Sequence, residues 1–218
     1  MKKLLTTSLL TLLSMVSVFA QNEKYVQAMT ASIELLDKVD KAKNDPVELQ
    51  GIANRFERIA TAETKVWLPR YYAAYCYTLM GLSGNSIADK DKYLDKADGL
   101  LKEAETLAGK PSDEILIMKA YAAQIRLAAD AMNRWQKYGA LFTENIDAAK
   151  AVNSDNPRIY YLEGSSLFFT PEEYGGGKKV AKPLLEKAVA KFAAYKPQSS
   201  ISPQWGRMEA EWMLSQTN

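Results

Sequence analysis

Apolar residues recur at helical spacing through most of this chain, and one triplet returns four times. It reads Ile52-Phe56-Ile59, Ala97-Leu101-Ala104, Phe142-Ile146-Ala149 and Ala181-Leu185-Ala188. Spacing i, i+4, i+7 puts three side chains on one helix face. The first members stand 45, 45 and 39 residues apart. One triplet marks only an amphipathic helix. Four at a period of this size, each preceded by a second helical stretch, mark stacked helical hairpins.

Helix breakers divide the chain after residue 21 into about nine predicted helices. The first runs from near Asn22 to Lys43 on a stripe of Val26, Met29, Ile33 and Leu36. Asp45 caps the second and Pro46 fits its first turn. The third starts near Trp67-Leu68-Pro69 and closes at Gly81 to Gly84. Asp89 opens the fourth, Ser112 or Asp113 caps the fifth (Ile115 to Ala131), and Trp135 and Tyr138 lead into the sixth. Asn153 to Pro157 turn into the seventh, Arg158 to Phe169. A glycine-rich connector leads to the eighth, Lys178 to Tyr195, with Pro183 inside it or marking a later start. After a Ser/Pro-rich linker near Lys196 to Pro203, a ninth helix with Trp205, Met208, Trp212 and Met213 is expected to cap the stack. No stretch alternates as a strand does. The predicted fold is all-α: a solenoid of about four α-α hairpins plus a C-terminal capping helix.

The ends change this picture by adding a leader. Residues 1–20 read as a signal peptide: Lys2 and Lys3, then an apolar run to Phe19, then Val18-Phe19-Ala20 with small residues where a signal peptidase cuts. Cleavage is expected after Ala20. The run is short for a membrane span and polar Gln21 to Lys24 follow it directly. The remaining 21–218 read as a single repeat domain, periplasmic or secreted, with no membrane span once the signal is removed. Losing Lys2 and Lys3 brings the 28 basic residues to 26, equal to the 26 acidic ones. A neutral, mixed-charge chain offers no stripe for phosphates, so no nucleic-acid partner is expected.

Candidate chemistry is sparse. Cys76 is the one cysteine and the chain has no histidine, so a thiol nucleophile lacks its usual base and a zinc or copper site lacks donors. Cys76 reads as a small buried apolar residue. Gly175-Gly176-Gly177-Lys178-Lys179 could cradle an anion, but it lacks the P-loop pattern. Asp89 to Asp95 has acidic residues at alternate places, yet Leu94 and Leu100 stand where a calcium loop needs Gly and Glu. Neighbouring carboxylates such as Glu172 and Glu173 do not face each other on a helix. The expectation is a protein that is not an enzyme and uses no cofactor.

The stretch Ala149-Lys-Ala-Val-Asn-Ser-Asp-Asn-Pro-Arg-Ile-Tyr-Tyr-Leu-Glu-Gly164 resembles the tetratricopeptide repeat. Ala149, Val152, Asn156-Pro157, Tyr160 and Gly164 take places in that family's signature, and Ala181, Leu185 and Ala188 match its second helix. The spacing here is longer than the family's unit of about 34 residues, Ser154 stands where the usual proline would be, and Glu163 replaces the usual leucine. Thr170 to Gly177 also looks like a connector in exported helical-repeat proteins associated with solute transporters.

The resemblance implies that the first helix of each hairpin lines a concave groove. In that register the groove carries Tyr71 and Tyr75, then Tyr121 and Gln124, then Arg158, Tyr161 and Phe168, a column of aromatics with one arginine at its edge. Such a surface suits a protein or peptide partner, with Arg158 taking a carboxylate. The first expectation is therefore an exported scaffold. The alternative is a periplasmic component that encloses a small apolar solute.

Overall fold

The computed structural model describes residues 23–217; the expected leader lies outside them. Among the described residues the chain forms nine α-helices and no strand. They are α1 (residues 23–37), α2 (Pro46–Ala62), α3 (Leu68–Ser83), α4 (Ile87–Ala108), α5 (Asp113–Ala129), α6 (Ala131–Asn153), α7 (Pro157–Phe169), α8 (Lys178–Ala194) and α9 (Arg207–Ser215). Helices α3 and α4, α5 and α6, and α7 and α8 pack as antiparallel hairpins, and α3, α5 and α7 pack in file. All-α helical-repeat architecture is therefore what the chain adopts. No helix among the described residues is long and apolar enough to cross a membrane.

Local chemistry sets the boundaries. Asp45 accepts a hydrogen bond from Val47 N, and Pro46 occupies the first turn of α2. Ser86 caps α4, accepting from Asp89 N, so this helix starts two residues before the expected Asp89. The first helix ends at 37 rather than Lys43, because Asp40 caps a turn through Ala42 N and Asn44 takes a positive φ of 46°. Helix α8 runs through Pro183, which is exposed, so the carbonyl left without a partner can meet water. The recurring triplets are the buried stripes of α2, α4, α6 and α8, with Phe142 and Ile59 only partly covered.

Close approach explains two of the glycines. A Cβ on Gly164 of α7 would sit 2.8 Å from Leu185 Cδ2 on α8, and one on Gly81 of α3 would sit 2.9 Å from Leu94 Cδ2 on α4. The glycine connector has a related explanation. Gly175 and Gly177 have φ of 82° and 101°, and a Cβ on Gly176 would collide with the Thr170 carbonyl. The three amides donate to Glu172, Pro171 and Leu167 carbonyls. The loop's donors are thus spent on its own backbone rather than held out to an anion.

Two large apolar cores result, beside a small cluster of Leu94, Ala122 and Ile125. One gathers α1 to α5 and the other α5 to α9. Tyr121 and Trp205 pack against both.

Candidate functional site

The chain after α8 does not run straight into a capping helix. Residues 195–206 cross the face formed by α3, α5 and α7 before α9 begins. Gly206 makes the turn into α9 at φ 99°, a conformation that only glycine adopts without strain. Trp205 therefore precedes the helix expected to contain it. It packs over the helix file instead. Its ring stacks on Tyr75 (5.0 Å, 26°) and Tyr121 (5.6 Å, 16°), and meets Tyr161 edge-on (6.2 Å, 78°). Its Nε1 donates to Tyr71 Oη at 2.7 Å.

The expected aromatic column thus exists, two tyrosines from α3 and one each from α5 and α7, but the chain itself fills it. Tyr71, Tyr75 and Tyr161 are buried and Tyr121 is half-buried. Burial, with Glu209 contributing, pushes the phenols of Tyr75, Tyr121 and Tyr161 up, so they are neutral at neutral pH. Gln124 is half-buried and reaches Ser165 Oγ at 3.4 Å, tying α5 to α7. Phe168 lies at the far end of α7, against Phe169 and Trp212.

Arg158 corrects the expected picture. It is 0% exposed rather than at an edge. Its guanidinium forms a two-pronged ion pair with Glu114 of α5, Nε donating to Oε2 at 3.1 Å and Nη2 to Oε1. Asn156, the cap of α7, donates to the same carboxylate at 2.8 Å. Burial raises the Glu114 pKa while Arg158 opposes it; burial also works against the Arg158 charge, and Glu114, Tyr71 and Tyr195 outweigh it. Nη2 also donates to Tyr195 Oη at 3.2 Å, and Nη1 has no acceptor among the described residues. An arginine so engaged cannot serve as an open clamp for a peptide carboxylate. Its partner Glu114 carried no signal in the sequence beyond its place in the first turn of α5.

A cleft of about 1120 Å³ opens beside this pair. It lies where the loops entering α3, α5 and α7 face the segment after α8. Trp67, Leu68, Val66, Pro111, Tyr195 and Pro203 supply apolar wall, and Tyr25 of α1 adds a ring from the side. Burial and Glu63 push the Tyr25 phenol up to about 12, and its hydroxyl has no hydrogen-bond partner among the described residues. The acidic lining is already engaged: Asp113 by Asn153 and Asn156, Glu114 by Arg158, and Asp155 by Lys191. Lys110 and Lys196 are exposed on the rim and make no ion pair among the described residues. The cleft therefore combines aromatic walls with two uncommitted positive charges. Trp67, Glu114 and Tyr195 of its lining touch the residues expected to bind a partner, Trp67 packing edge-on against Tyr71 and the other two meeting Arg158.

No protein-family model matches the chain and no curated protein matches it significantly, so the tetratricopeptide likeness stands at the level of hairpin architecture. Among solved structures the chain is similar to the HusA haemophore from Porphyromonas gingivalis, with 34% identity over 89% of this chain and 92% of that one, and a TM-score of 0.77. Identity of that degree along nearly the whole of both chains places this protein in the same family as the HusA haemophore.

Proposed function

We propose that this protein is an exported, non-catalytic carrier of a planar, apolar, carboxylate-bearing ligand, and that haem is the first ligand to test. The observation that carries this reading is the cleft: aromatic walls beside two rim lysines, Lys110 and Lys196, which make no ion pair among the described residues. Its volume of about 1120 Å³ lies just above the usual range of small-ligand sites, which run from about 300 to 1,000 Å³. Apolar walls favour the face of a macrocycle, and the lysines favour carboxylates at its edge. The relative's description as a haemophore supports the same ligand class.

The chain's composition bears on how iron would be met. With no histidine, a protein ligand to iron would come from tyrosine or methionine. Of the two tyrosines lining the cleft, Tyr195 is engaged by Arg158 and the Pro203 carbonyl, whereas Tyr25 has no partner. Most of the affinity would then come from apolar contact rather than from a strong metal bond. The expected scaffold function, a peptide held in an open groove by Arg158, loses its support because that groove is filled and Arg158 is paired.

The test is an absorbance titration of the purified chain with hemin. A saturable change of the porphyrin band at one equivalent supports the carrier reading. A spectrum identical to that of hemin in buffer contradicts it.

A further inference from the structure

We infer that residues 196–206 are a releasable strap, and that Trp205 holds the place of a planar ligand in a second slot made by Tyr75, Tyr121 and Tyr161. This rests on the carrier reading and extends the site beyond the cleft. Three hairpins each contribute one tyrosine to the slot, and its occupant is a flat aromatic ring stacked on two of them and edge-on to the third. The stacking is not particular to an indole, although the bond from Nε1 to Tyr71 Oη is. Any planar π-system can take the same offset-stacked contacts.

The first half of the strap is lightly held, while Ile201, Pro203 and Gly206 are buried and Trp205 packs against both cores. Residues 196–200 are all exposed, and the segment forms neither helix nor strand. Three side-chain hydrogen bonds fasten it to the body: Tyr72 Oη to the Ile201 carbonyl (3.0 Å), Tyr195 Oη to the Pro203 carbonyl (3.2 Å), and Trp205 Nε1 to Tyr71 Oη. Gly206 supplies the pivot. The strap's Ser202 and Pro203 also line the cleft, so moving it joins cleft and slot into one groove. Beneath Trp205, 5.7 Å from its ring, lies the Arg158 guanidinium, whose Nη1 is buried without an acceptor. A carboxylate brought in with a ligand would give that nitrogen the partner it lacks.

If the closed strap dominates, ligand affinity is reduced by the rarity of the open form, and any change that loosens the strap without touching the slot raises affinity. Two substitutions loosen the strap, and the first of them leaves the slot untouched. Tyr72→Phe removes the bond to Ile201 and keeps the ring stacked on Phe56. Gly206→Ala strains the closed turn, where a Cβ would sit 3.1 Å from Phe192 and 3.3 Å from Tyr161. Replacing Trp205 itself is a poor test, since it packs against both cores. The experiment is hemin titration of the full chain and both variants, with hydrogen exchange of residues 196–206 before and after loading. Tighter binding in Tyr72→Phe, by about two- to tenfold for one lost hydrogen bond, with faster exchange in the strap on loading, is the expected result. Unchanged affinity in both variants, or slower exchange on loading, places the ligand in the cleft under a closed strap and overturns the inference while leaving the carrier reading intact. No hemin binding in any form overturns both.

Discussion

Gly164→Ala measures how closely α7 and α8 approach, and its magnitude can be worked from two opposed effects. Alanine in a helix interior is favoured over glycine by roughly 1 kcal/mol. Against that, the new methyl would sit 2.8 and 2.9 Å from Leu185 Cδ2 and Cγ and 3.3 Å from the Leu185 backbone nitrogen. The leucine tip can swing aside, but the backbone behind it cannot, and overpacking of this kind costs about 1–3 kcal/mol. The net expectation is a loss of about 1 kcal/mol, or about 2–4 °C in Tm for a chain of this size. Gly51→Ala and Gly99→Ala are internal controls. Both lie on exposed helix surface where a Cβ meets nothing within 4 Å. Each should stabilise by about 0.5–1 kcal/mol. Urea unfolding followed by circular dichroism gives all three values on one scale. If Gly164→Ala stabilises as the controls do, the hairpin is looser than described and the account of its packing fails.

Two further perturbations bear on the interior. Arg158→Ala leaves Glu114 buried without its counter-ion, and should cost roughly 3–5 kcal/mol in urea unfolding. The double change Arg158→Met with Glu114→Gln should recover much of that, and a single substitution costing under about 1 kcal/mol would show the pair is not buried as described. Cys76 is 0% exposed and burial pushes its thiol well up. A thiol reagent at pH 8 should therefore leave Cys76 unmodified in the native protein and label it in urea; prompt native labelling would contradict its burial.

How much of this was legible in the sequence depends on distance along the chain. The triplets at Ile52, Ala97, Phe142 and Ala181 are local, and they located α2, α4, α6 and α8. The register of Tyr75, Tyr121 and Tyr161 was also readable, because equivalent places in successive hairpins meet in file. Trp205 was not placed correctly. Its apolar spacing with Met208 and Trp212 suits a helix, and only the Gly206 turn, which spacing cannot show, pulls it onto the tyrosines. The Arg158–Glu114 pair joins residues 44 apart on different hairpins, so nothing local distinguishes Arg158 from a surface arginine. Asn156 ahead of it offered a hint, since its amide both caps α7 and reaches Glu114. The cleft was not legible at all. It is made by three inter-hairpin loops and the strap, whose meeting depends on the whole stack.

If the cleft holds a planar ligand by its carboxylates at Lys110 and Lys196, removing both charges weakens binding. The most direct measurement is the hemin affinity of Lys110→Gln with Lys196→Gln, against the unaltered chain and against Lys137→Gln, whose ammonium sits over Tyr138 away from the cleft. The account predicts that the double variant binds roughly tenfold more weakly, about 1.4 kcal/mol, while Lys137→Gln binds as the unaltered chain does. Equal affinity in all three would contradict it.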